Sequence, residues 1–368
     1  MTSFADLSLL PSLLGTLAEL GLTEPTRVQR EAIPPQLAGR GVVAVSETGS
    51  GKTLAFALPM LHQLKALEAG GDAVDSASRP RGLVLVPGRE LGEQVCKVFK
   101  SLTHDTRLRV RSVLGGTKKQ RARQNVGGMF EVLVATPGRL QQFLDSGELR
   151  LDDLRALVLD EADSLLAVDF LPVVRQVVAA SPASARLALF AATFPAAYEE
   201  TVAQLFGGDP VRVRSGQALE TLTTINRNVT EEQRFEALGK VLAQDPEVPT
   251  LLFANTRQQC ERLAAWLGEQ GVAFGNYRGQ MDATERRQSL AAFRRGELRL
   301  LVTTDLGGRG LDLEGLERVI NVFLPQDLED YLHRAGRTAR AGRPGTVVNL
   351  VTKRDLPLLR QIQGLGRR

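Results

Sequence analysis

Ser46-Glu47-Thr48-Gly49-Ser50-Gly51-Lys52-Thr53 is the stretch on which the fold turns. The apolar run Val42-Val43-Ala44-Val45 precedes it and reads as a buried strand. Leu54 to Leu67, apolar almost all round, follows it and reads as a buried helix. Strand, glycine loop, Lys-Thr and helix make the context that a phosphate-binding loop needs. Glycines let several backbone N–H groups converge on one anion. The helix start adds unpaired N–H groups and the positive end of its dipole. Lys52 brings a cation to the β- and γ-phosphates, and Thr53 offers a hydroxyl to Mg2+. The strict pattern opens on Gly where this chain has Ser46, so an ordinary Gly/Ser turn is the alternative reading of the segment alone.

Further strands follow at helix-length intervals: Leu83 to Val86, Val132 to Val134, Leu157 to Leu159 and Leu187 to Phe190. Continuous apolar runs of this kind belong to parallel strands covered on both faces. Their ligands gather at the carboxyl ends of the strands. The fold class is therefore α/β, with mainly parallel sheets and helices on both faces. Lys65 to Gly82, rich in small and polar residues, reads as an exposed, mobile loop. The pattern weakens around Gly207 to Leu222 and then restarts. Leu251 to Phe253, Leu300 to Val302, Val319 to Val322 and Val347 to Val351 read as a second sheet. These signals divide the chain into a first domain over 1–214, a linker over 215–223 and a second domain over 224–368. In the second domain, Thr256 and Gln259 are placed for a capping box, and Gly271 for a C-terminal cap.

The chain has 368 residues, 24% of them charged, with a formal net charge of +4. That mild excess permits a polyanionic partner without requiring one. Its two cysteines, Cys96 and Cys260, are far apart and suggest neither a disulfide framework nor a zinc site. A reducing, cytoplasmic location is expected. No segment has the unbroken apolar length of a membrane span. The leucine-rich N-terminus lacks a basic leader and is interrupted by Asp6, Pro11 and Glu19, as an amphipathic core helix would be.

A second signal, Asp160-Glu161-Ala162-Asp163, directly follows the apolar run ending at Leu159. Paired carboxylates at a strand end, downstream of a phosphate loop, suit metal binding by Asp160 and activation of a water by Glu161. An acid-rich helix start is the alternative. The tetrapeptide spells the DEAD signature, and from Phe4 to about Thr352 the chain resembles the core of a DEAD-box RNA helicase. The resemblance implies two tandem RecA-like domains, ATP and Mg2+ as cofactors, and RNA as the partner, single-stranded or in short duplexes. It also implies an RNA-stimulated ATPase that unwinds or remodels RNA with little sequence preference.

The resemblance assigns roles motif by motif. Gly21 to Gln29 is similar to the Q motif, with Phe4 upstream to stack on adenine and Gln29 to pair with its edge. Thr48, Gly49, Ser50, Gly51, Lys52 and Thr53 would cradle the phosphates. Pro87-Gly88-Arg89, Gly115-Gly116 and Thr136-Pro137-Gly138-Arg139 resemble RNA-contacting motifs, although Gly88 stands where the family usually has Thr. Ala191-Ala192-Thr193 occupies the place of Ser-Ala-Thr, which lacks a hydroxyl here. An RNA-dependent clamp that unwinds poorly is thus the second reading. Glu47 replaces the usual Gln. In the second domain the resemblance assigns RNA contacts to Thr256, Arg286, Thr303 and Thr304, with Ala283 in place of the family's Gln. It assigns nucleotide contacts to Asp305 and Asp312. His333-Arg334-Ala335-Gly336-Arg337-Thr338-Ala339-Arg340 supplies Arg337 and Arg340 as cations for the γ-phosphate. Lys118-Lys119-Gln120-Arg121-Ala122-Arg123 reads as a solvated helix face, with an auxiliary phosphate patch as the alternative.

Overall fold

The computed structural model describes residues 3–46, 49–117, 119–194, 196–215, 222–278, 281–304, 316–338 and 344–365. The chain divides into two compact units, Met1–Gly216 and Gln217–Arg368.

The first unit is built on a seven-stranded sheet of order β3-β4-β2-β5-β6-β1-β7, parallel throughout. The strands are β1 Val42–Ser46, β2 Gly82–Leu85, β3 Val110–Val113, β4 Val132–Ala135, β5 Ala156–Asp160, β6 Arg186–Ala191 and β7 Val211–Ser215. The continuous apolar runs have the expected cause. Leu83 and Leu85 of β2 enter the core on one face, while Val84 enters the core on the other. Leu157 and Leu159 of β5 alternate with Val158 in the same way. A side chain that must be buried on either face leaves no room for polar alternation.

The second unit has a six-stranded parallel sheet of order β10-β11-β9-β12-β13-β8. Its strands are β8 Leu222–Asn228, β9 Thr250–Phe253, β10 Phe274–Tyr277, β11 Leu300–Thr303, β12 Arg318–Asn321 and β13 Gly345–Val351. The capping box of Thr256 and Gln259 forms at the start of the helix Arg257–Glu269. Gly271, at φ +67, lies just beyond that helix in the left-handed region.

One expectation needs correction. Residues 65–82 are not simply an exposed loop, because the helix begun at Lys52 runs on to Ala69. The remainder is pinned by Arg81, which is buried and holds both Asp72 and Asp153. Strands β3, β8 and β10 have no apolar run in the sequence. All three are sheet edges, where a strand has one neighbour and can expose polar side chains. Among the described residues no helix is long and apolar enough to cross a membrane.

Candidate active site

Because the first sheet is parallel, every strand delivers its following loop to the same edge. Strands β5, β6 and β1 are neighbours. The loops after them hold the phosphate loop, the paired carboxylates and the Ala191-Ala192-Thr193 segment.

The helix Lys52–Ala69 starts directly from Gly51, which stands at φ +93, and Gly49 stands at φ +82. Both need the left-handed region that glycine enters freely. A Cβ on Gly51 would also collide with the Gln29 amide and come within 3.2 Å of Thr26 Oγ1. The loop is therefore packed against the start of the helix Arg27–Leu37. Gln29 is buried there. Its Nε2 donates to Gly51 O at 3.0 Å and its Oε1 accepts from Thr26 N at 2.9 Å. This side chain braces the loop, and each amide atom retains capacity for one further hydrogen bond. Lys52 is buried and its ammonium donates to Ser46 O. Ser46 and Ser50 share a hydroxyl hydrogen bond of 2.9 Å, so serine at position 46 ties the two ends of the loop together. Phe4 is 3% exposed and packs in the core cluster with Leu7 and Val28. Glu47 and Thr48 lie outside the described residues.

Asp160 ends β5 and is buried. Its Oδ1 accepts from Glu161 N at 3.0 Å. Burial, reinforced by the Glu161 charge and opposed by Lys52, pushes its carboxyl up to about 7. Glu161 is a non-glycine residue at φ 50, a strained position of the kind that collects at functional sites. Its Oε2 is buried with no hydrogen-bond partner among the described residues. Such an acceptor implies a donor supplied by something that binds. Thr53, the second residue of its helix, is half-buried. A hydroxyl and a carboxylate are hard oxygen donors that fit Mg2+, and no larger cluster of metal-ligating side chains occurs among the described residues.

Sequence reasoning gave Asp163 no role. The structure makes it a hub. Fully buried, it accepts from Ala192 N at 3.1 Å, from Thr193 N at 3.0 Å and from the Thr193 hydroxyl at 3.3 Å. It thus joins the carboxylate turn to the segment after β6. Ala191 takes no part in these bonds; its methyl, 1% exposed, packs in the apolar cluster.

The other half of the same edge carries the loops after β2, β4 and β3. Gly115 N donates to Thr136 Oγ1 at 3.0 Å, and Arg139 donates to Thr117 O at 2.7 Å. Gly116 stands at φ +74, and a Cβ there would lie 2.9 Å from Arg89 Nη1. Arg89 also pairs with Glu93 at 2.8 Å. Pro137 and Gly138 open the helix Pro137–Asp145, and Gly88 caps the helix Arg89–Leu102. Three segments well separated in sequence therefore meet in one patch with glycine backbone and arginine at its surface. Such a patch suits close approach of a phosphate chain.

In the second unit, Thr256 is an exposed helix cap after β9. Arg286 stacks over Tyr277 at 5.6 Å. Thr303 is fully buried and donates its hydroxyl to Tyr277 O at 2.7 Å, whereas Thr304 is half-buried. Arg337 is buried, with Nε donating to His333 O at 3.2 Å. Arg334, passed over in the sequence, is 1% exposed. It donates to Asn321 Oδ1 at 3.1 Å, Phe323 O at 2.7 Å and Asn255 Oδ1 at 2.8 Å. Asn321, Asn349 and Asn226 continue this chain side by side across β12, β13 and β8, at 2.8 Å per bond. Asp305, Asp312 and Arg340 lie outside the described residues, as do Lys118, Gly279 and Gln280.

A braced phosphate loop beside paired buried carboxylates, on one of two parallel α/β units, defines a tandem RecA-like nucleotide-dependent enzyme. Comparison with known proteins narrows this. Residues 26–201 match the DEAD/DEAH box helicase family model, and residues 233–342 match the helicase conserved C-terminal domain. The chain is 36% identical to the RNA helicase CrhR of Synechocystis, over 98% of this chain and 72% of that protein. It is 32% identical to the DEAD-box ATP-dependent RNA helicase RhpA of Helicobacter pylori, over 98% of this chain and 72% of that protein. Saccharomyces cerevisiae Dbp5, solved bound to RNA and ADP BeF3, superposes with a TM-score of 0.85 at 26% identity, over 99% of this chain and 93% of that one. The chain belongs to the DEAD-box helicase family.

Proposed function

We propose that this chain is an ATP-dependent RNA helicase that couples ATP binding and hydrolysis to local unwinding or remodelling of RNA. One observation carries the reading beyond family membership. The phosphate loop with its carboxylates and the glycine–arginine patch occupy neighbouring strands at one sheet edge. ATP is the substrate at β5, β6 and β1, and the RNA backbone lies on β2, β4 and β3. Gly49 to Thr53, with Thr48, hold the phosphates, and Lys52 neutralises them. Thr53 and Asp160 hold Mg2+, which when bound offsets charge on the phosphate oxygens. Glu161 orients the attacking water and takes its proton. Gln29 braces the loop while offering its remaining amide capacity to adenine. Arg337 and Arg340 supply positive charge to the γ-phosphate, with Asp305 and Asp312 on the nucleotide side. Arg286, Thr256 and Thr304 add RNA contacts in the second unit. Two free, buried cysteines fit a reducing, cytoplasmic setting.

The link from Asp163 to Ala192 and Thr193 is complete without a hydroxyl at position 191. This favours active unwinding over the clamp reading. The test is steady-state ATP hydrolysis with and without single-stranded RNA, beside displacement of a short labelled RNA duplex. RNA-stimulated hydrolysis with displacement is expected. Stimulation with an intact duplex would leave the clamp, and equal hydrolysis without RNA would remove both.

A further inference from the structure

The β3 edge of the first sheet is strongly cationic. Strand β3 is one of the two outermost strands of this sheet, and the helices Arg89–Leu102 and Lys119–Val126 both pack against it. On the first helix, Lys97 and Lys100 are exposed and share a stripe with Glu93. Val95, Cys96 and Phe99 of the same helix are buried, which leaves that stripe on the outer face. On the second helix, Asn125 donates to Ser112 O at 2.9 Å, and Arg121 lies one turn before it. Arg107 precedes β3 and Arg111 lies within it, both exposed.

The carboxylates that reach this edge are already engaged. Glu93 pairs with Arg89, Glu131 with Arg109 and Glu148 with Arg123. Asp105 accepts from Thr16 and lies beside His104. Lys97, Lys100, Arg107, Arg111 and Arg121 have no carboxylate partner among the described residues. For a chain with a net charge of only +4, that is a strong local concentration. It is also continuous with the glycine–arginine patch, since Gly115-Gly116 follows β3 directly and Arg89 opens the first helix.

We infer that this edge is an auxiliary track for RNA phosphates, which holds RNA extending beyond the strand-end loops. The inference rests on the RNA-binding reading above and adds a second, purely electrostatic contact to it. Among the described residues the unpaired groups of this edge are flexible cations, none of them stacked on an aromatic ring, so the edge grips backbone without reading bases.

The test compares wild type with the triple variant Lys97→Gln/Arg111→Gln/Arg121→Gln by fluorescence anisotropy over a range of KCl. The probes are a short single-stranded RNA and the same strand with a single-stranded or a duplex extension. We expect affinity for the extended strand to fall about tenfold, and the slope of log affinity against log salt to shrink by about 2, roughly 0.7 per lost contact. Affinity for the short strand, RNA-free ATP hydrolysis and melting temperature stay unchanged. An Arg111→Glu single variant moves affinity in the same direction and guards against a folding artefact. If the triple variant binds the extended strand with unchanged affinity and slope, the track is overturned, and the edge is left to another acidic partner. The main reading then still stands, provided that RNA stimulates wild-type ATP hydrolysis. A wild type that RNA does not stimulate sinks the main reading and the track together.

Discussion

At the scale of single residues, Asp160 and Ala191 make opposite use of burial. Asp160 is a carboxyl held out of water beside a second carboxyl, which raises it from 3.8 to about 7. The folded state therefore holds this proton more tightly than the unfolded chain. Its stabilising contribution is complete below pH 3.8 and is lost as pH rises through about 7. Without nucleotide, the melting temperature of the wild type should drop more across that window than that of Asp160→Asn. Parallel curves for the two proteins would remove the claim. Ala191 instead fills an apolar site that a hydroxyl would disturb. Ala191→Ser is expected to cost about 1–2 kcal/mol, the price of a buried hydroxyl with an imperfect partner. Base pairs opened per ATP hydrolysed should not change, because Asp163 reaches Ala192 and Thr193 directly. A gain in displacement per ATP would mean that coupling does depend on the missing hydroxyl.

At the scale of elements, legibility followed burial. The central strands β1, β2, β4, β5 and β6 were readable because both of their faces are covered, so the sequence stays apolar throughout. The edge strands β3 and β8 were not, since Arg111 and Ser112 interrupt β3, and β8 is exposed along almost its whole length. Motif residues were readable as types but not as partners. Spacing suggested a carboxylate pair at Asp160 and Glu161, yet could not show that Asp163 joins the next strand end. In the same way Arg334 read as one arginine among several, although it anchors its helix to the ends of two strands, β9 and β12. Nothing in a linear pattern reports hydrogen bonds between residues 79 positions apart, as Arg334 and Asn255 are. Arg334→Lys keeps the charge but loses the fork that reaches Asn255, Asn321 and Phe323 together. At least one of those buried acceptors is then left without its donor, at a cost of about 2–3 kcal/mol. Chemical denaturation should show a lower midpoint for this variant. An unchanged midpoint would mean that water replaces the guanidinium without loss.

At the scale of the whole molecule, the question is how ATP and RNA affect one another. The candidate nucleotide loops follow β5, β6 and β1, and the candidate RNA loops follow β2, β4 and β3, with β2 hydrogen-bonded to β5. Both ligands therefore bear on loops rooted in one sheet. Within it, Asp163 fixes the turn after β5 to the segment after β6. A ligand that tightens one set of loops restricts the freedom of the other, so the second ligand meets a site already ordered. Linkage then requires reciprocity at equilibrium. Whatever factor a non-hydrolysable ATP analogue adds to RNA affinity, RNA must add the same factor to affinity for the analogue. We expect that factor to be at least about fivefold, within the usual range of coupling energies. Two titrations measure it: labelled RNA with and without saturating analogue, and labelled analogue with and without saturating RNA. Asp163→Ala removes the bridge while leaving Lys52, Glu161 and the glycine–arginine patch in place. The shared factor should shrink toward one in that variant. Each ligand alone should still bind within about threefold of wild type, because neither binding loop has lost a contact group. If the factor is already one in the wild type, ATP and RNA bind independently, and hydrolysis alone would have to drive the remodelling of RNA.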